Sequence, residues 1–254
     1  MVPALHAEWT KLRTVPGLLM LLVGAIVGTT ALSAVAMSAA GACPGPGCLA
    51  DPVKTSLTGV LLGQVVVAVF GVLSVGGEYS SGMITTTLSA TPARGTVLLA
   101  KALTVATPVL VAGFVAVFGS LLAGELLLPA GASERPVDFL AQSTLRAGIG
   151  SVCYLVLIAL LGLGIATAVR SSAAAIGIVL GLLFVLPIVA AVVTDPDWQR
   201  RLEQISPSTA GLAIQATTDL DRLPISPWAG LGVLAGWSAA ALLLGALLLR
   251  LRDA

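Results

Sequence analysis

Residues 147–193, AGIGSVCYLVLIALLGLGIATAVRSSAAAIGIVLGLLFVLPIVAAVV, decide the fold class of this protein. Arg170 is the only charged residue in the stretch, and it separates two apolar runs, Ala147–Val169 and Ala173–Val193. Each run is long enough to cross a hydrocarbon core of about 30 Å, which takes about 20 helical residues. The apolar residues are continuous rather than alternating, which argues against a membrane β-barrel. The stretch therefore predicts two transmembrane helices.

Four further apolar runs flank this stretch, and none of the six contains Lys, Arg, Asp or Glu. They are Pro16–Ala40, Leu57–Val75, Ala102–Leu122 and Trp228–Leu249. Because backbone exposed to lipid must be helical unless it closes into a barrel, each run predicts a helix. The predicted fold class is an all-α integral membrane protein with six transmembrane helices, in which residues 1–254 form a single transmembrane domain.

The composition agrees with lipid as the solvent of most of the chain. Of the 254 residues, 57% are hydrophobic and 10% are charged, whereas about a quarter of a soluble domain is charged. The formal net charge of +1 provides no basic patch for nucleic acid. With His6 as the only histidine and three cysteines, a histidine-based metal site or a Ser-His-Asp triad lacks the necessary residues.

Lys and Arg placement predicts the orientation in the cell membrane, because cytoplasmic segments are enriched in these residues. An even number of spans puts both termini on one side. On the side of the termini, the basic residues would be Lys11, Arg13, Arg94, Lys101, Arg170, Arg250 and Arg252. On the other side, they would be Lys54, Arg135, Arg146, Arg200, Arg201 and Arg222. The first set lies on short segments next to the membrane, so both termini are predicted to be cytoplasmic. A cleavable signal peptide ending at Ala34-Val35-Ala36 is the alternative for the first span.

Two segments outside the spans are amphipathic. Residues 1–15 predict an interfacial helix with Trp9 on its apolar face, a frayed tail being the alternative. Residues 194–227 predict a loop on the extracytoplasmic side. In it, Trp198 and Ile205 share one helical face and Ser206-Pro207 interrupts the run. We expect two short helices in this loop, resting on the outer leaflet or dipping into it.

Cys43 and Cys48 enclose two prolines and two glycines in the first outer loop. The tight turn would allow the two sulfurs to form a disulfide, which an extracytoplasmic location permits. Free thiols are the alternative. A metal site with two Cys lacks further ligands.

The segment of residues 77–101 is the longest predicted cytoplasmic connection. A helix over Gly77–Thr91 would place an apolar stripe on one face, with Glu78 at its start, where the helix dipole favours an acidic residue. The stripe consists of Tyr79, Met83, Ile84, Thr87 and Leu88. An exposed apolar stripe needs a partner. The partner is either another protein or the cytoplasmic ends of this protein's own helices.

Several motifs are absent or carry little information. No Gly-x-x-x-x-Gly-Lys-Ser/Thr loop occurs, so the chain is predicted not to hydrolyse ATP through a P-loop. The predicted spans contain no carboxylate or histidine for a proton relay. Their uncharged polar residues include Gln64, Thr104, Thr107, Ser120, Ser151, Tyr154 and Thr167. These residues suit either a path for an amphipathic substrate or hydrogen bonds between helices. Four Gly-x-x-x-Gly pairs, at Gly24/Gly28, Gly59/Gly63, Gly177/Gly181 and Gly232/Gly236, are weak evidence for close packing.

The order of elements resembles that of actinobacterial ABC-2-type transporter permeases. The similar segments are Glu8–Thr14 before the first span, Glu78-Tyr79-Ser80-Ser81-Gly82-Met83-Ile84 after the second, Leu145-Arg146-Ala147 at the fourth, and Ser226-Pro227-Trp228 with Leu249-Arg250 around the last. The resemblance extends over essentially the whole chain. It implies an N-terminal interfacial helix, a coupling helix between the second and third spans, and short re-entrant helices before the last span.

The resemblance also implies partners. Two permease subunits, identical or different, would pair and bind two copies of a cytoplasmic ABC ATPase, which would hold ATP and Mg²⁺. This chain would have no cofactor of its own and would contact ATPase and lipid but no nucleic acid. Its ATPase-coupling residues would be Glu78, Tyr79, Met83, Ile84 and Leu88. Antibiotics, peptides and lipids are among the substrates that the family exports. An ion-coupled secondary transporter and a non-transporting sensor or assembly protein are the alternatives.

Overall fold

The computed structural model describes residues 16–41, 51–80, 94–127 and 138–251, which form nine α-helices and no strand. The helices are α1 (Pro16–Gly41), α2 (Pro52–Ser56), α3 (Val60–Ser80), α4 (Arg94–Leu127), α5 (Gln142–Val169), α6 (Ser172–Val192), α7 (Pro196–Ile205), α8 (Pro207–Leu212) and α9 (Pro227–Leu251). Six of them, α1, α3, α4, α5, α6 and α9, are long and apolar enough to cross a membrane. The prediction of a multi-pass, all-helical membrane protein with six candidate spans is therefore confirmed.

Helix α5 is the centre of the bundle. It packs against α3, α4, α6 and α9, and it is the most buried of the six long helices. Helix α1 packs on the outside of α3 and α4. Because α1, α6 and α9 leave much of their apolar surface uncovered by protein, lipid or another subunit must cover it.

Two glycines of α5 allow neighbouring helices to approach closely on opposite sides. A Cβ atom on Gly162 would lie 2.6 Å from the carbonyl oxygen of Ala68 in α3, and one on Gly164 would lie 2.6 Å from the carbonyl carbon of Ala241 in α9. Residues two apart on a helix point about 200° away from each other. The pair therefore lets α5 contact two helices backbone to backbone, as small residues do in membrane proteins.

The Gly-x-x-x-Gly pattern did not identify these positions. Of the four pairs, only Gly59/Gly63 meets a neighbouring helix at both residues, where it lies against Thr29 of α1. Gly177, Gly181, Gly232 and Gly236 have open space where a Cβ would be, and so does Gly24, while Gly28 touches only the Leu62 side chain.

A π-helical turn, Gly181–Val185, interrupts α6 directly before Pro187. Pro187 has no N–H group to donate to the carbonyl of Leu183, four residues earlier. The hydroxyl of Ser208 in α8 donates to that carbonyl at 2.7 Å. The π-helical turn before Pro187 therefore coincides with the site where α8 packs against α6.

The loop predicted over residues 194–227 contains α7 and α8, which differ in burial. Trp198 and Ile205 of α7 are more than half exposed, whereas Pro207, Ala210 and Gly211 of α8 are buried. Helix α8 packs against α9, α5 and the π-helical turn. One helix of the loop therefore lies on the surface of the bundle and the other inserts into it.

Candidate functional site

The end of the bundle where α3 ends and α4 begins holds a buried ion pair. The ammonium group of Lys101 donates to Oε1 of Glu78. The two side chains are each about 3% exposed. A buried ion pair is costly to desolvate, and removing one partner leaves an uncompensated charge. The pair therefore fixes α3 and α4 to each other where residues 81–93 connect them. We call this the ion-pair end.

Tyr79 and Arg170 extend the polar contacts of the ion-pair end to α5 and α6. The hydroxyl of Tyr79 donates to the carbonyl of Thr167 at 3.4 Å, and the guanidinium carbon of Arg170 lies 5.9 Å from the centre of the Tyr79 ring. Arg170 ends α5 with a left-handed φ of 61°, and Ser172 at the start of α6 packs directly on Gly76. The connection from α5 to α6 thus packs on the last turns of α3 through Arg170 and Ser172.

The structure corrects two boundaries at this end. The second span was predicted to end at Val75 and a separate helix to begin at Gly77, but α3 continues through Ser80. The third span was predicted to begin at Ala102, but α4 begins at Arg94. Those boundaries were set by the first charged residues, and these charges are accommodated inside the bundle because Glu78 and Lys101 neutralise each other.

The predicted role of Glu78 at a helix start is therefore wrong. Glu78 lies in the last turn of α3, where the helix dipole disfavours a carboxylate. Its compensation is Lys101, a residue that the sequence indicated only as a flanking positive charge. The long helices also include charged residues that the shorter predicted spans excluded, so the expectation of spans without a buried carboxylate does not hold for α3.

Of the five predicted coupling residues, the structure places two. Glu78 is paired with Lys101, and Tyr79 packs partly buried against the core and Thr167. Met83, Ile84 and Leu88 lie outside the described residues, as do the interfacial helix over residues 1–15 and the cysteines Cys43 and Cys48.

The opposite end of the bundle is joined by hydrogen bonds between segments far apart in the sequence. The carboxylate of Asp51 accepts hydrogen bonds from the backbone N–H and the hydroxyl of Thr217, both at 2.7 Å, and also caps α2 through the N–H of Lys54 at 3.0 Å. Gln215 donates to the hydroxyl of Ser151 in α5 at 3.1 Å. The segment after α8 is therefore held between α2 and α5.

Polar side chains inside the spans mainly join helices or bond to their own backbone. Tyr154 of α5 donates to Gln64 of α3 in the buried core. Thr104, Thr107 and Thr167 donate to carbonyls of their own helices. The bond between Tyr154 and Gln64 joins two helices, as the second of the two interpretations expected, whereas the three threonines bond only within their own helices.

Charge is distributed unequally between the two ends. Lys101, Arg170 and Arg250 lie at the ion-pair end, where Glu78 is the acidic residue among those described. At the opposite end, the described acidic residues are Asp51, Glu125, Asp138, Asp195, Asp197, Glu203, Asp219 and Asp221, and the described basic residues are Lys54, Arg146, Arg200, Arg201 and Arg222. No three His, Cys, Asp or Glu side chains among the described residues come together in a way that could hold a metal ion.

No protein-family model matches this chain, and no curated protein matches it significantly. The described residues establish a multi-pass, all-helical membrane protein, built around α5, with a buried ion pair at one end of the bundle and an inserted helix at the other.

Proposed function

We propose that this chain is the permease subunit of an ABC exporter, pairing with a second permease subunit and driven by a separate cytoplasmic ATPase. The proposal rests on the resemblance of the ordered sequence segments to ABC-2-type permeases, and the six candidate spans agree with it.

The observation that most favours coupling to a partner is the ion pair between Glu78 and Lys101. A segment that passes movement from an ATPase to membrane helices needs a rigid base, since a flexible one would absorb the movement. The ion pair fixes α3 to α4 on either side of residues 81–93. Tyr79 connects the same base to α5 and Arg170. In this proposal, Glu78 and Tyr79 anchor the coupling segment, while Met83, Ile84 and Leu88 contact the ATPase.

The proposed substrate path lies between two permease subunits. Within one copy, the polar side chains described above bond to another helix or to their own backbone, and α5 fills the centre of the bundle. The apolar faces of α1, α6 and α9 are largely uncovered. A path formed between two such faces would suit an amphipathic or hydrophobic substrate of the antibiotic, peptide or lipid class.

The ion-pair end is proposed to face the cytoplasm. Lys101, Arg170 and Arg250 lie there on short segments next to the membrane, and Lys and Arg so placed favour the cytoplasmic side. Both termini and residues 81–93 would then be cytoplasmic, within reach of the ATPase.

An ion-coupled secondary transporter is the second candidate, because Glu78 is a buried carboxylate on a candidate span. The two functions differ in their energy source. Transport by an exporter stops when ATP is withdrawn, whereas transport by a proton-coupled carrier stops when the proton gradient is collapsed.

Co-purification of the ATPase tests the exporter proposal. Purified alone, the chain should hydrolyse no ATP, whereas mildly extracted membranes should yield a complex with a P-loop ATPase in equal stoichiometry. Met83→Asp or Ile84→Asp should release the ATPase, because apolar anchors in a groove dominate such contacts. Ser89→Asp adds the same charge off the predicted stripe and is the control. Hydrolysis by the isolated chain, or intact complexes with both stripe variants, would overturn the proposal.

A further inference from the structure

A pocket opens between the first turns of α5 and α9, at the opposite end from the ion pair. Its volume is about 540 Å³, and its described lining consists of Gln142, Ser143, Leu145, Arg146, Ile149 and Trp228. No residue of this lining is acidic. The pocket is formed by helices that are both candidate membrane spans, so it lies where a helix passes from lipid into water.

Arg146 gives the pocket a positive charge. Its side chain is half-buried, and its one hydrogen bond to the described residues is from Nη2 to the carbonyl of Ala216 at 2.6 Å. No carboxylate among these residues pairs with it. A guanidinium group has five N–H donors and matches the geometry of a phosphate. Arg146 is thus held in place by one donor, with further donors left for an anion.

The lining changes from polar to apolar along α5. Gln142 and Ser143 lie in the first turn of the helix, where backbone N–H groups have no intrahelical partner. Ile149 lies about 10 Å further along the helix axis. Leu145 is 38% exposed and Ile149 is 50% exposed on a candidate span, so their side chains face lipid. A ligand that fills the pocket therefore needs an anionic group at one end and an apolar chain at the other.

Trp228 forms the wall contributed by α9 and is 59% exposed. Tryptophan is enriched at the level of lipid headgroups, because its ring is apolar and its N–H group is polar. Its position in the first turn of α9 places the mouth of the pocket at that level.

We propose that this pocket binds an anionic phospholipid, with the headgroup phosphate on Arg146 and an acyl chain along Leu145 and Ile149. The bound lipid would supply the negative charge that the described lining lacks. The lipid would also contact Arg146, whose hydrogen bond to Ala216 holds the segment after α8. Lipid binding would therefore stabilise the insertion of α8 into the bundle. The inference concerns the permease chain by itself and does not depend on an ATPase.

Native mass spectrometry of the full chain in detergent tests the proposal. Phosphatidylglycerol, phosphatidylcholine and inorganic phosphate are titrated separately. We expect one phosphatidylglycerol to bind about tenfold more tightly than phosphatidylcholine, since charge-assisted hydrogen bonds are the stronger kind. Inorganic phosphate should not displace it. Equal affinity for the two lipids would overturn the proposal, and displacement by phosphate alone would overturn the amphiphile assignment.

Three variants connect this binding to the pocket. Arg146→Gln should remove the preference for phosphatidylglycerol. Ile149→Trp should fill the apolar part of the pocket and weaken phosphatidylglycerol binding about tenfold, while leaving the bond from Arg146 to Ala216 in place. Arg222→Gln removes an exposed arginine outside the pocket and should change nothing. An unchanged preference in a folded Arg146→Gln protein, or unchanged binding in Ile149→Trp, would refute the assignment.

Discussion

Neutralising one partner of the buried ion pair should strongly destabilise the bundle. Glu78→Gln keeps nearly the same side-chain volume but leaves the Lys101 ammonium without its carboxylate, and Lys101→Met leaves the carboxylate without its ammonium. Both side chains are about 3% exposed, so water screens little of the remaining charge. Breaking a buried pair in this way costs about 3–5 kcal/mol.

The double variant, Glu78→Gln with Lys101→Met, should be more stable than either single variant. It removes both charges, and replacing a buried pair with uncharged groups of similar volume is often close to neutral. For the double variant to be the more stable one, the coupling energy between the two positions must exceed the cost of a single variant, so we expect it to be at least about 3–5 kcal/mol. Glu125→Gln is the control, because Glu125 is an exposed acidic residue at the far end of α4. It should change the free energy of unfolding by less than about 0.5 kcal/mol.

The measurement is reversible unfolding of the full chain in mixed detergent micelles, followed by tryptophan fluorescence. The free energies of unfolding of the four proteins in the cycle give the coupling energy directly. If the cost of the double variant equals the sum of the two single costs, the ion pair contributes no coupling. In that case the ion pair does not fix the base of the coupling segment.

Three further predictions concern the rest of the bundle. Gly164→Ala should destabilise the protein by about 1–3 kcal/mol, because its Cβ would lie 2.6 Å from the Ala241 carbonyl carbon. The control Gly177→Ala has open space around it and should be neutral or stabilising. Equal free energies of unfolding for the two variants would contradict the packing described for α5 and α9. Ser208→Ala should cost about 1–3 kcal/mol of stability by leaving the Leu183 carbonyl without a hydrogen-bond donor. Adding Pro187→Ala should recover part of this stability, because alanine restores an N–H donor for that carbonyl. A double variant no more stable than Ser208→Ala would contradict the role given to the Ser208 hydroxyl. Single cysteines introduced at Thr10, Ser89 and Ser171 should be labelled from one face of the membrane. Single cysteines introduced at Gly47, Ser133 and Gln204 should be labelled from the other face. Labelling of Ser171 and Gln204 from the same face would rule out the six-span topology.

The sequence by itself determined the membrane environment and the six long helices. An apolar run of about 20 residues has few alternatives to a membrane helix, because every backbone group must be satisfied within the run. This constraint is local, so hydropathy is sufficient to recognise it. The same reasoning anticipated two short helices after Val193, since Trp198 and Ile205 share a helical face and Pro207 ends the run.

Only the tertiary structure decided which residues meet between helices. Glu78 and Lys101 are 23 positions apart, and hydropathy placed both outside the spans because it evaluates each charge without its partner. Gly164 contacts α9 although it belongs to no Gly-x-x-x-Gly pair, while Gly232 and Gly236 form such a pair but have open space where a Cβ would be. Whether a small residue lies at an interface depends on which face of its helix is turned toward a neighbour. That orientation is set by the packing of all the helices together, which no single segment encodes.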